Sequence, residues 1–170
     1  MGIINQVNGG TGKMKLEEIE KIAEKYVDIL KPYCERIEIA GSIRRRKEFP
    51  SDIEIVAQVK DRDGFAKKVE EWEGIRGSPY GKYTQRLVEE GVKLDIFITA
   101  DDGSNYGNIM TIRTGSANFS HALMIRARRC GLKHKNGYLW LDGVRMECYD
   151  EKQFFKLLGM EWVSPDRRNW

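Results

Sequence analysis

Two carboxylates spaced i, i+2, Asp52 and Glu54, follow a Gly41-Ser42 turn and a basic cluster, Arg44-Arg45-Arg46-Lys47. On an extended segment alternate side chains share a face, so both acids point the same way, about 6.5–7 Å apart along the backbone. Oxygen donors of this kind suit hard divalent cations. A third acid, Asp95, interrupts the strand-forming run Val92-Lys93-Leu94-Asp95-Ile96-Phe97-Ile98 and is expected to project from a neighbouring strand. Three carboxylates on adjacent strands can hold two cations roughly 3.5–4 Å apart, as in-line attack on a phosphate requires. The chemistry expected is metal-dependent phosphoryl transfer.

The other half of such a site is positive. Gly41 permits close backbone approach, and Ser42 with the amides after it can open a helix whose N-terminus faces an anion. The competing reading of Ser42 is an ordinary helix N-cap. Arg44, Arg45 and Arg46 suit a triphosphate bridged to metal, or else form a solvated basic face.

Placing these groups requires a sheet with helices packed on it. Leu16, Ile19, Ala23, Tyr26, Val27 and Leu30 recur at helical spacing until Pro32, which predicts a first amphipathic helix. Ile37 and Ile39 alternate into Gly41 as a strand, and Ile53, Ile55 and Ala57 alternate against Asp52 and Glu54 as a second. A helix over 63–72 with Phe65, Val69 and Trp72 buried comes next, then strands near 83–88 and 92–99. After Asp101-Asp102-Gly103-Ser104 the pattern changes. Helices are expected over 105–112 and 116–130, and the turns Asn136-Gly137 and Asp142-Gly143 imply a hairpin or three-stranded sheet around Tyr138-Leu139-Trp140, with Trp140 as its core anchor. His121 and His134 lack metal-ligand spacing.

The 170 residues carry 29 Lys and Arg against 26 Asp and Glu, a net charge of only +3, but the distribution is uneven. From Ser104 to Leu141 there is no acid, while Arg113, Arg126, Arg128, Arg129, Lys133 and Lys135 fall in that stretch. Such a surface attracts a phosphate backbone without reading sequence, unless it is merely a solvated basic helix. Cys34, Cys130 and Cys148 are odd in number and form no Cys-x-x-Cys pair, so reduced structural thiols are expected. No apolar run approaches ~20 residues and no signal peptide is evident, which points to a cytoplasmic protein with no membrane partner. Near the N-terminus, Asn8-Gly9-Gly10-Thr11-Gly12 lacks the spacing of a Walker loop and reads as part of a flexible lead-in over 1–14.

Gly-Ser-x-Arg-Arg followed by Asp-x-Glu resembles the signature of the DNA polymerase beta-like nucleotidyltransferase superfamily. Thr114-Gly115-Ser116-Ala117-Asn118-Phe119, the acid-free helix to Gly131 and Asn136-Gly137-Tyr138 resemble the segment of family X polymerases that joins palm to thumb. The run from Asp150 to Gly159, with Pro165-Asp166-Arg167-Arg168 after it, is similar to the helix and tail that close that thumb. The resemblance covers about Leu16 to the C-terminus and implies an α+β fold: a nucleotidyltransferase palm over 15–103, a mixed sheet with helices on one face, then a small α+β thumb over 104–170 that binds nucleotide and DNA.

It further implies a monomeric, minimal palm-plus-thumb DNA polymerase like the smallest viral or phage-like members. Such an enzyme adds deoxynucleotides to a primer 3′-hydroxyl on gapped or primed DNA, in gap-filling repair. Asp52, Glu54 and Asp95 would be the catalytic carboxylates and ligands of two Mg²⁺ ions, with Mn²⁺ able to substitute. Gly41, Ser42, Arg45, Thr114, Gly115 and Ser116 would bind the nucleotide together with Lys13, and Arg126, Arg128, Arg129 and Lys133 would bind DNA. No lyase domain is expected, since the palm-like sequence begins almost at once. The chain departs from the family at three places: Glu54 stands where Asp is usual, Ile112-Arg113 replaces an aromatic pair beside the incoming sugar, and Met124 replaces a template-contacting Arg. A small-molecule nucleotidyltransferase and a non-catalytic DNA-binding module are the alternative readings.

Overall fold

The computed structural model describes residues 14–170. The glycine-rich part of the lead-in and Lys13 therefore lie outside the described residues. Helix α1 (Leu16–Leu30) buries Ile19, Ile22, Ala23, Tyr26 and Leu30 along one stripe and stops where Pro32 enters a short 3₁₀ turn. The apolar spacing of 3 and 4 puts those side chains on one face, and proline cannot continue the backbone ladder.

A five-stranded sheet follows, ordered β1-β2-β5-β4-β3, from β1 (Cys34–Ile39), β2 (Ile53–Val59), β3 (Glu73–Gly77), β4 (Tyr83–Leu87) and β5 (Lys93–Ile98). Only β2 and β5 run parallel; the other pairs are antiparallel. Between β1 and β2 lies a single helical turn, α2 (Gly41–Arg44), and α3 (Arg62–Glu70) follows β2, capped by the Asp61 side chain on the Gly64 amide. Trp72, expected as the last buried residue of that helix, lies beyond its end and packs edge-on against Tyr26 with ring centroids 4.8 Å apart. Strand β3 was not legible in the sequence. All five of its residues are exposed and two are glycine, so neither alternation nor apolar content marks it, and only backbone pairing with β4 makes it a strand.

Alternation divides the sheet into two faces. Ile53, Ile55, Ala57, Leu94, Ile96 and Ile98 join α1 and α3 in one core. The opposite parity carries Val56 and Phe97, which pack with Ala40, Tyr106 and Met110, so α4 (Tyr106–Thr114) lies on the other face of the sheet. A separate core unites α5 (Ala117–Arg129) with α6 (Glu151–Leu157) through Phe119, Leu123, Leu139, Phe154 and Phe155. Between those helices β6 (Leu132–Lys135), β7 (Tyr138–Leu141) and β8 (Val144–Met146) form a three-stranded antiparallel sheet. Both turns have positive φ at each central residue, Asn136 and Gly137, Asp142 and Gly143, the conformation in which two-residue hairpin turns match strand twist. Leu139, fully buried, is the anchor of this sheet; Trp140 is half-buried and donates its indole N–H to the Lys135 carbonyl, so the larger ring stays at the surface where its polar edge finds a partner.

The two cores are joined by an ionic cluster. Glu151, in the first turn of α6, accepts from Arg44 Nη1 and Nη2 at 2.9 and 2.7 Å, from Arg168 Nη1 at 2.6 Å and from the Trp162 indole at 3.2 Å. Arg44 also donates to Thr114 Oγ1 at 2.8 Å, and Arg168 is fully buried, with its Nε on the Val163 carbonyl. Of the three arginines read as phosphate candidates, Arg44 is thus a structural tie, and Arg46 pairs with Glu20 of α1. Burial pushes the Glu151 carboxyl up, but the hydrogen bonds from Arg44 and Arg168 outweigh it and hold the group down at about 2. Because that value lies below the ordinary 4.5, the cluster contributes its full stability above about pH 4.5 and loses it as the pH falls from there toward about 2. Glu151→Ala leaves Arg168 buried without its counter-charge and is expected to cost about 3–5 kcal/mol at pH 7. Thermal melts from pH 3 to 7 check both statements: the wild type should lose more stability toward the acid end than the variant.

Candidate active site

Parallel pairing of β2 with β5 sets Glu54 directly beside Asp95, with Ile53 opposite Leu94 and Ile55 opposite Ile96. Asp52 immediately precedes β2 and shares the parity of Glu54. The three acids therefore occupy the face of the sheet on which α4 lies. Asp95 is buried, and its Oδ1 accepts from the Tyr83 hydroxyl at 2.5 Å and from Gln85 Nε2 at 2.9 Å, both on β4. Glu54 leans onto the α2 turn: a Cβ built on Gly41 would lie 1.8 Å from its Oε2. Gly41 has φ +63°, so glycine is required there both by the backbone and by the carboxylate above it. The Gly-Ser turn and Glu54 thus form one contact. Ser42 is not the helix cap; Ala40 holds that position, and Ser42 sits inside the turn.

The electrostatics are those of carboxylates crowded together at a partly buried site. Glu54 is pushed up to about 7, first by burial and then by Asp95, with Arg113 and Arg45 opposing and Asp52 reinforcing. Asp52 is raised by burial and by Asp95, against Lys93. As the side chains stand, no three His, Cys, Asp or Glu among the described residues are gathered closely enough to ligate one ion. The convergence expected of Asp52, Glu54 and Asp95 is therefore one of shared face and register; Asp95 is drawn toward Tyr83 and Gln85, and Glu54 toward Gly41. Three carboxylates with buried excess negative charge remain a donor set that fits a hard divalent cation.

Beside Asp52 and Glu54 lies a cleft of about 550 Å³ between the two lobes, lined also by Ser42, Arg45, Arg113 and Ser116, while Asp95 stays buried beside Glu54 on the next strand. Arg45 reaches into it with its Nη1 on the Thr114 carbonyl at 2.8 Å. Thr114 closes α4, and Ser116 caps α5 by accepting from the Phe119 amide at 3.2 Å, so the Thr114-Gly115-Ser116 turn forms the far wall. Arg113, read from sequence as one of the basic residues of the acid-free stretch and as a replacement for an aromatic residue, stacks its guanidinium over Phe97 at 4.2 Å and is the positive charge of α4 nearest Glu54. No sequence signal marked it for the cleft; the packing of α4 on the acid-bearing face of the sheet brings it there. His121 is exposed and does not line this cleft.

The basic face sorts differently from the sequence reading. Arg128 and Arg129 at the end of α5, and Lys133 on β6, are exposed, and a groove of about 700 Å³ runs between Met124, Arg128, Lys133 and Lys135. Arg126 is instead committed to the end of α6, its Nε on the Leu158 carbonyl at 2.7 Å and its Nη2 on the Gly159 carbonyl at 3.0 Å. It satisfies carbonyls that the last turn of a helix leaves without partners, so it is withdrawn from the DNA-binding set.

Residues 110–169 match the family model of the DNA polymerase beta thumb. No curated protein matches the chain in sequence. Among solved structures the chain is similar to polymerase beta of Leishmania infantum, described as a ternary P/T complex, with a TM-score of 0.69 and 17% identity over 93% of this chain and 77% of that one. The matched thumb segment begins inside α4, the helix that packs on the sheet and also carries the Thr-Gly-Ser turn at its end.

Glu54 supplies a pH test of the acid cluster. Its folded-state value of about 7 lies above the ordinary 4.5, so the folded protein holds that proton more tightly than the unfolded chain and loses stability as pH rises through this interval. With chelator present, Glu54→Gln should flatten the fall in melting temperature between pH 5 and pH 8. A variant falling as steeply as the wild type would place the strain elsewhere.

Proposed function

We propose that this chain, a family X polymerase-like protein by its thumb and its fold, is a template-directed DNA polymerase that adds deoxynucleotides to a primer 3′-hydroxyl and fills gaps in damaged DNA. The observation that carries the reading is the cleft in which Asp52 and Glu54 lie beside Ser42 and Arg45, with Gly115 and Ser116 opposite and Asp95 in register with Glu54 on the next strand. In the reaction a bond forms between the primer 3′-oxygen and the α-phosphorus, the α–β phosphoanhydride breaks, and pyrophosphate leaves. Asp52, Glu54 and Asp95 would hold divalent cations, Mg²⁺ in the cell. Bound there, the cations would neutralise phosphate charge and favour the ionised 3′-oxygen.

The chain's own groups do the rest by position. Gly41 lets backbone approach the phosphates, and Ser42 and Arg45 offer donors to their oxygens where charge builds in the transition state. The Tyr83 hydroxyl and Gln85 amide fix one oxygen of Asp95, so the carboxylate keeps its orientation before any substrate arrives. Arg113 and Arg45 oppose the mutual repulsion of the acids. The exposed Arg128, Arg129 and Lys133 would track the phosphate backbone without reading bases.

Primer extension on gapped, recessed and single-stranded substrates tests the whole reading. Incorporation on gapped and recessed DNA is the expected result; nucleotidyl transfer only to small acceptors, or DNA binding without incorporation, would replace it. Asp52→Ala and Asp95→Ala are each expected to reduce turnover at least ~100-fold with DNA affinity nearly intact. Arg128→Ala, Arg129→Ala and Lys133→Ala together should weaken binding alike across sequences and flatten its salt dependence by up to ~0.9 per lost phosphate contact, as fluorescence anisotropy over a salt series would show. Arg126→Ala should mainly lower stability.

A further inference from the structure

The C-terminal tail packs against two residues of the cleft lining, Ser116 and Arg45. The Arg168 carbonyl accepts from the Ser116 amide at 3.0 Å, and the Trp170 carbonyl accepts from the Ser116 hydroxyl at 3.1 Å. With the backbone fastened on either side, the side chain between them is delivered to Arg45. Asn169 Oδ1 accepts from Arg45 Nε at 2.7 Å, while Asn169 Nδ2 donates to the Asp166 carbonyl at 3.1 Å and to the Arg45 carbonyl at 3.4 Å. Two carbonyl acceptors on the nitrogen side fix which way the amide faces, so its oxygen must meet the guanidinium.

We infer that Asn169 is a positioning residue for nucleotide binding: it holds Arg45 by Nε so that the guanidinium presents Nη2 to the triphosphate in the cleft. The inference rests on the proposed reading of that cleft. Arg45 Nη1 is taken by the Thr114 carbonyl and Nε by Asn169, and among the described residues Nη2 makes no hydrogen bond. A guanidinium is planar, so fixing two of its nitrogens fixes the direction of the third. Arg45 lies on the cleft lining with Ser42, Asp52 and Glu54, which is where an anion bridged to the acids would sit. The tail is itself rigidly held, because Arg168 is buried against Glu151. Asn169 therefore reaches Arg45 in a preset geometry, and the ordering cost that a free arginine would incur on binding is already met.

Calorimetric titration of the full chain with inorganic tripolyphosphate in Mg²⁺ buffer reads this directly, using wild type, Asn169→Ala, Arg45→Ala and the double variant. Asn169→Ala is expected to weaken binding about three- to tenfold, in keeping with one lost charge-assisted hydrogen bond at a partly exposed site. The double variant should bind no more weakly than Arg45→Ala alone, because Asn169 acts through Arg45. The Nε–Hε resonance of Arg45 should be resolved in wild type and in Asn169→Asp, which keeps the acceptor oxygen, and exchange-broadened in Asn169→Ala. Wild-type affinity in Asn169→Ala, or a loss that adds in full to that of Arg45→Ala, would overturn the role of Asn169 alone. A wild-type chain that binds no tripolyphosphate would overturn the reading of the cleft and this inference with it.

Discussion

A single buried carboxylate, Glu151, ties the two lobes together. Its oxygens are shared between Arg44, which follows the Gly-Ser turn, and Arg168, which anchors the tail, with the Trp162 indole as a third donor. Burying one acid between two arginines is costly, and the geometry offsets that cost only because nearly every donor is directed. The consequence is positional. The turn that faces the acids, the end of α4 and the tail that reaches Arg45 are all fixed relative to one another through a cluster that lies outside the lining of the cleft.

The candidate active site shows the opposite balance. Glu54 and Asp95 are adjacent in register, Asp52 is close by, and the positive charges nearest to them, Arg45 and Arg113, oppose the repulsion without cancelling it. Like charges crowded in this way cost local stability, and under the proposed function that cost is what leaves room for cations and a triphosphate. The α4 helix makes this tolerable. It buries Tyr106 and Met110 on the acid-bearing face of the sheet while its last turn carries Arg113 and Thr114 to the cleft. Gly107 permits the close approach of this helix to the start of α6, where a Cβ would lie 2.1 Å from the Asp150 carbonyl oxygen. Sheet, connector and second lobe thereby meet at one line.

Periodicity and turn chemistry carried much of the architecture. The α1 stripe ends at Pro32 because proline ends helices, β2 follows from alternation against Asp52 and Glu54, β5 from the strand-forming run that Asp95 interrupts, and the two Asx-Gly turns define the small sheet. These signals are local, so they survive without tertiary context. Strand β3 escaped because it is exposed on every residue and exists only through its partner. Trp140 was misplaced because size suggested burial, whereas the indole N–H kept the ring at the surface and Leu139 filled the core.

The sequence by itself determined which residues have the right chemistry: three carboxylates at strand parity, a glycine-serine turn, a run of basic residues without acids. It could not assign the arginines, since a guanidinium offers the same charge to a phosphate, a carboxylate or a helix end, and only its neighbours select among them. Tertiary structure sent Arg44 to Glu151, Arg46 to Glu20, Arg126 to the carbonyls closing α6 and Arg45 to the cleft. It also brought Asn169 to Arg45 across 124 positions of sequence. Contacts between residues so distant leave no periodic trace in the chain; they arise only when the two lobes close on a shared ionic cluster.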